Sequence, residues 1–163
     1  MKCLKLIFCL LYFCCSLAEA KEVQVDAQKE VDEMTGRLVA SYLEAKVDED
    51  IIAGYASALR SDGSFPDLDY VTVHEGSSYP AGSHLKRLKL MAIAYRKPGN
   101  KYYNSGRLLK QIVAGIDYWY RVRPKSGNWW FGDIGAPQDY MVPLILLKGK
   151  ISDGFFILDR GGL

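Results

Sequence analysis

The chain has 163 residues, 49% hydrophobic and 25% charged, a balance that excludes a disordered or fibrous protein and suffices for one globular domain. Its formal net charge of +2 gives no whole-molecule attraction for nucleic acid, and no nucleic-acid partner is expected. All four cysteines, Cys3, Cys9, Cys14 and Cys15, lie near the N-terminus, so the rest of the chain can form neither a disulfide framework nor a thiolate metal site; no metal and no other cofactor is expected.

The opening MKCLKLIFCLLYFCCSLAEA sets Lys2 and Lys5 before an apolar run from Leu6 to Cys15, then ends on Ala18-Glu19-Ala20. This is the layout of a secretory signal peptide, with an apolar part too short to span a bilayer comfortably. Residues 1–20 are therefore expected to be removed after Ala20, leaving a secreted chain, extracellular or periplasmic, with no transmembrane segment. Setting aside Lys2, Lys5 and Glu19 leaves 19 basic against 18 acidic residues. The alternative is a lipid anchor on Cys14 or Cys15, for which bulky Phe13 is a poor neighbour.

From Asp26 to Lys46, Val31, Met34, Leu38 and Tyr42 recur at three- and four-residue spacing among charged residues, the pattern of an amphipathic helix. Asp48 can cap a second helix through Ile51, Ile52, Tyr55, Ala58 and Leu59, stopped by SDGSFPD with its Gly63 and Pro66. The stretch LDYVTVHEGSSYPAGS reads as a loop, with a short extended piece at Tyr70, Val71 and Val73. A third helix begins near Ser83, turns Leu85, Leu88, Ala92 and Tyr95 inward and ends before Pro98. A fourth, capped by Asn104 or Ser105, carries Leu108, Leu109, Ile112, Val113, Ile116, Trp119 and Tyr120 to Pro124. Pro137 suits the first turn of a fifth helix, which continues through YMVPLILLKGKIS with a kink at Pro143. The final SDGFFILDRGGL fits no such pattern, and 153–163 is expected to be an irregular or aberrant end. The fold class is all-α, built from antiparallel helical hairpins.

Between the fourth and fifth helices stands SGNWWFGDIGAPQDY, where the adjacent Trp129 and Trp130 sit among Gly127, Gly132, Gly135 and Pro137. These glycines predict a loop, and loops run over the surface, where binding groups are carried. Either the two rings fold back into a core or they wait for a ligand. Adjacency, the Asn neighbour and the glycine frame favour a binding pair over core packing. Trp119 and Tyr120, on a regular helical stripe, are read as core.

GSHLKRLKLMAIAYRKPGNKYYNSGRLLKQIVAGIDYWY followed by NWWFGDIGAPQ resembles the N-terminal helical domain of polysaccharide lyase family 8, the chondroitin, hyaluronate and xanthan lyases. RSDGSFPDLDY matches in order as well, so the resemblance runs from the first helix to about Ser152, within an expected domain of 21–152. It implies an incomplete (α/α) toroid with a long cleft, in which Asn128, Trp129 and Trp130 belong to the wall that holds an acidic polysaccharide of glycosaminoglycan type. It also implies β-elimination at a uronate, by an Asn, a His, a Tyr and an Arg supplied by later helices. This chain is expected to contribute binding and no catalytic residue, and to be inactive alone. The alternative is a non-catalytic glycan-binding or scaffold domain.

Other chemistry-bearing residues have bland readings. His74 falls in a loop and His84 at a helix start, as solvated or capping side chains, and neither is nominated as a base. Asp62, Asp67 and Asp69 surround Gly63 and Pro66 without a complete calcium-loop spacing, and are read as turn residues. Asp133 is read as a cap or brace of the tryptophan segment. Lys86, Arg87 and Lys89 form a solvated cationic face that would attract an anionic glycan if the cleft lay nearby.

Overall fold

The computed structural model describes residues 27–151; the leader expected over 1–20 and the irregular end expected over 153–163 lie outside the described residues. The chain divides into two compact units between Ser41 and Tyr42. Helix α1 covers 27–43, and its apolar residues Val31, Met34 and Leu38 remain exposed. The helix forms where the periodicity predicts it.

The second unit is built from α2 (Glu49–Ala58), α3 (Gly82–Arg96), α4 (Gly106–Val122) and α5 (Ala136–Leu146). Among the described residues there is no strand, and no helix is long and apolar enough to cross a membrane. The starts of α2 and α4 are set by side-chain acceptors for otherwise unpaired amides. Asp48 accepts from the backbone N–H of Asp50 and Ile51 at the head of α2. Ser105, one of the two expected caps, accepts from Leu108 at the head of α4. Asn104 instead takes a left-handed backbone with φ of 53° in the preceding turn.

Helix α3 is the centre of this unit and packs against α2, α4 and α5. Leu85, Leu88, Ala92 and Tyr95 are buried as their spacing predicts, and so are Met91, Ile93 and Ala94. A helix enclosed on several sides needs apolar residues around most of its circumference. Helix α4 buries Leu108, Ile112, Ile116 and Trp119 and leaves Leu109, Val113 and Tyr120 half-buried. In α5, Pro137 occupies the first turn and Pro143 lies inside the helix. The α5 carbonyl of Leu146 is satisfied by the Arg96 guanidinium at 2.9 Å.

The segment between α2 and α3 lies on this helical core. Gly63, with φ of +92°, sits so close to α4 that a Cβ would come within 2.1 Å of the Ala114 carbonyl oxygen. Only glycine permits both that backbone region and that approach. The short extended piece expected at Tyr70, Val71 and Val73 is an irregular bend instead, because Asp69 Oδ1 accepts from the N–H of Val71 and Thr72 and closes a turn there.

Candidate functional site

The tryptophan segment is not the loop that its glycines predict. Trp129 and Trp130 open a helical run that widens into a π-helical turn, Phe131–Gly135, and continues directly as α5. In the wide turn the N–H of Ala136 reaches the carbonyl of Phe131, and Pro137 beyond it has no N–H to offer an α-helical partner. Gly135 is required for packing rather than for a bend, since a Cβ there would lie 2.8 Å from Trp130 Cζ3.

Asn128 holds the start of this run. Its Oδ1 accepts from the Trp130 N–H at 2.9 Å, and its Nδ2 donates to the Gly76 carbonyl at 2.8 Å. One amide hydrogen and spare acceptor capacity remain for another partner. The bracing expected of Asp133, which is exposed, thus falls to Asn128. Asn128→Ala removes both bonds and should destabilise the domain by about 1–2 kcal/mol, read as a lower thermal midpoint.

Both indoles face solvent: Trp129 is 67% exposed and Trp130 45%. Trp130 forms one wall of a pocket of about 240 Å³, with Tyr79 and Phe131 beside it and Ser77, Lys86 and Gln138 around it. The rings continue inward from this surface. Trp130 meets Phe131 edge-on at 5.3 Å, Phe131 stacks on Tyr79 at 5.7 Å, and Tyr79 meets Trp119 edge-on at 6.4 Å. Trp119 in turn stacks on His84 at 5.6 Å. The exposed indole is thereby tied to the core through an unbroken series of ring contacts.

His84 is neither solvated nor a cap, contrary to its place in the sequence. It is fully buried, because α3 starts early enough to put it on the core-facing side. The carbonyl of Gly115 can only accept, so His84 Nε2 carries the proton and donates to it at 2.9 Å; Nδ1 then accepts from the Tyr70 hydroxyl at 2.9 Å. Tyr70 itself accepts from the Phe65 N–H at 3.0 Å. Burial pushes His84 down to about 4, further lowered by the nearby Arg87 guanidinium and opposed by the hydrogen bond to Gly115. Burial also raises Tyr70 to about 12. This relay pins the segment after α2 to the helices, and the same segment holds the tryptophan run through Gly127 N–H to the His74 carbonyl at 3.1 Å and through the Asn128 contact to Gly76.

The carboxylates are occupied by structural work. Asp62 accepts from the backbone and hydroxyl of Ser64, and Asp69 from Val71 and Thr72, with His74 Nε2 at 3.5 Å. Those donors hold both carboxyls below the usual range. Asp67 departs from the turn reading: it pairs with both ends of the Arg87 guanidinium, at 2.8 and 2.5 Å, which lowers its pKa. Arg87 also lies 4.7 Å from the Phe65 ring centroid, so the cationic face is not uniformly solvated. Lys89 pairs with Asp139 at 3.2 Å, and exposed Lys86 alone of the three turns to the pocket. Sequence reasoning missed Tyr79, Phe131 and Gln138 as neighbours of the indoles. The triplet Trp129-Trp130-Phe131 was a visible signal for one of them.

A profile of polysaccharide lyase family 8, N terminal alpha-helical domain, matches residues 27–156. Chondroitinase-AC of Pedobacter heparinus is 34% identical over 92 residues, 56% of this chain and 13% of that protein. The hyaluronate lyase HylB of Enterococcus faecalis is 28% identical over 95 residues, 53% of this chain and 10% of its own length. The chain therefore spans only about an eighth of these relatives or less. A solved structure of chondroitinase AC lyase, from work on its enzyme–oligosaccharide complexes, matches with a TM-score of 0.64 at 28% identity over 71% of this chain and 17% of that one. The helical hairpins are accordingly those of an (α/α) toroid, as the sequence implied. With the family profile covering most of its length, this chain belongs to polysaccharide lyase family 8 and carries that family's N-terminal α-helical domain.

Proposed function

We propose that this domain is the part of a secreted polysaccharide lyase that holds a uronate-containing chain of chondroitin, hyaluronan or xanthan type, with Asn128, Trp129 and Trp130 as its sugar-binding residues. The observation that carries the reading is the pair of exposed indoles, 67% and 45%, anchored at a helix start beside a pocket. Large rings left in water lose the burial that would otherwise stabilise them, which marks such a patch for a partner. The names of the similar proteins, a chondroitinase and a hyaluronate lyase, supply the acidic polysaccharide. Export rests on the leader-like residues 1–20.

The same reading assigns these helices to binding rather than to β-elimination. A general base has to reach the proton it removes, and His84 is enclosed by Tyr70, Trp119 and Gly115. Titrating this chain with chondroitin, hyaluronan and xanthan while following tryptophan fluorescence should give a saturable change with at least one of them. No ultraviolet-absorbing unsaturated product should form. A flat titration with all three polymers overturns the binding role, and product formation overturns the assignment of catalysis to other residues.

A further inference from the structure

Trp130 walls a pocket whose volume, about 240 Å³, lies below the roughly 300–1,000 Å³ of sites that enclose drug-sized ligands, so it suits one ring and its substituent rather than a length of chain. Its rings supply an apolar surface; Ser77 and Gln138 supply a hydroxyl and an amide. Two charges of opposite sign, Lys86 and Asp139, also line it. They are not equivalent. Asp139 is already compensated by Lys89 at 3.2 Å, whereas Lys86 has no carboxylate partner among the described residues. Arg87, the third cation of this stretch, is committed to Asp67. The pocket therefore presents one uncompensated ammonium beside an exposed indole.

We infer that Lys86 is a specificity-determining residue: it pairs with an oxyanion, a sulfate ester or a uronate carboxylate, carried by the pyranose that stacks on Trp130. This rests on the reading of Trp130 as a sugar platform and goes beyond it by assigning the anion to the pocket. With the apolar C–H face of the ring on the indole, an anionic substituent of that ring shares the pocket with the ammonium. An uncharged sugar in the same place gains only the stacking.

The test is calorimetric binding of chondroitin 4-sulfate, desulfated chondroitin, and desulfated chondroitin with its carboxyls reduced, to the wild-type chain, Lys86→Gln, Lys86→Arg and Trp130→Ala. Lys86→Gln should weaken chondroitin 4-sulfate about five- to tenfold and leave the uncharged polymer unchanged, with Lys86→Arg near wild type and the difference shrinking as salt rises. If the loss persists with desulfated chondroitin, the anion is the carboxylate; if it vanishes there, the anion is the sulfate. Equal losses on charged and uncharged polymers, or none on either charged one while Trp130→Ala still weakens binding, overturn the inference and leave the stacking role standing. Absence of binding by the wild-type chain overturns both. Because Lys86 is exposed, the thermal midpoint of Lys86→Gln should match wild type, so a binding loss cannot be ascribed to unfolding.

Discussion

Replacing Trp129 and Trp130 together by alanine should abolish measurable binding of whichever of chondroitin, hyaluronan and xanthan the wild-type chain holds, while leaving the helical fold in place. Each indole is expected to contribute about 2 kcal/mol, about thirtyfold in affinity, as aromatic anchors of binding surfaces do. The two single changes should differ in their effect on stability. Trp129, 67% exposed, has little packing to lose, and its loss should shift stability by no more than about 0.5 kcal/mol. Trp130 contacts Phe131 and Gly135, so its removal also loosens the outermost link of the ring series. Calorimetric titration and thermal melts of the three variants separate the two effects. Binding by the double variant as tight as wild type would remove the indoles from the account.

Replacing His84 by leucine is expected to destabilise the domain by on the order of 3 kcal/mol, since it strands the Tyr70 hydroxyl and the Gly115 carbonyl in the core. The same histidine gives the fold a defined acid sensitivity. Its folded-state pKa, about 4, lies below the ordinary 6.5, so on acidification the unfolded chain takes up the proton first. The stability that His84 contributes is whole above about 6.5 and declines as pH falls toward 4, by about 3 kcal/mol in total. The carboxyls of Asp62, Asp67 and Asp69, held below their usual value of 3.8, act at lower pH: their contribution is present above that value and is lost as pH falls beneath it. Denaturant melts between pH 7 and 4 should thus show a slope in the wild-type chain that is missing from His84→Leu. Equal slopes in the two proteins would contradict the buried neutral imidazole.

The helices were legible because their signals are local. Leu85, Leu88, Ala92 and Tyr95 at helical spacing, Asp48 and Ser105 before apolar runs, and Pro124 after one each act within a few residues of where they stand. The tryptophan segment misled for a related reason. Gly132 and Gly135 read as breakers in the sequence, yet Gly135 is small because Trp130 packs on it, a requirement set by a side chain five residues away through a widened turn. His84 was misplaced because its burial depends on Tyr70, Gly115 and Trp119, which come to it from other parts of the chain. The cations show the limit most plainly. Lys86, Arg87 and Lys89 look alike in sequence and differ only through Asp67 and Asp139, distant partners that no spacing discloses.

The chain has three tryptophans, and the structure divides them into two exposed indoles and one buried, Trp119. Following their indole N–H resonances by nuclear magnetic resonance during titration with a chondroitin oligosaccharide tests the sugar platform at the atoms concerned. The resonances of Trp129 and Trp130 should move together and saturate while that of Trp119 stays in place. Three unmoved resonances, or movement of Trp119 alone, would contradict it.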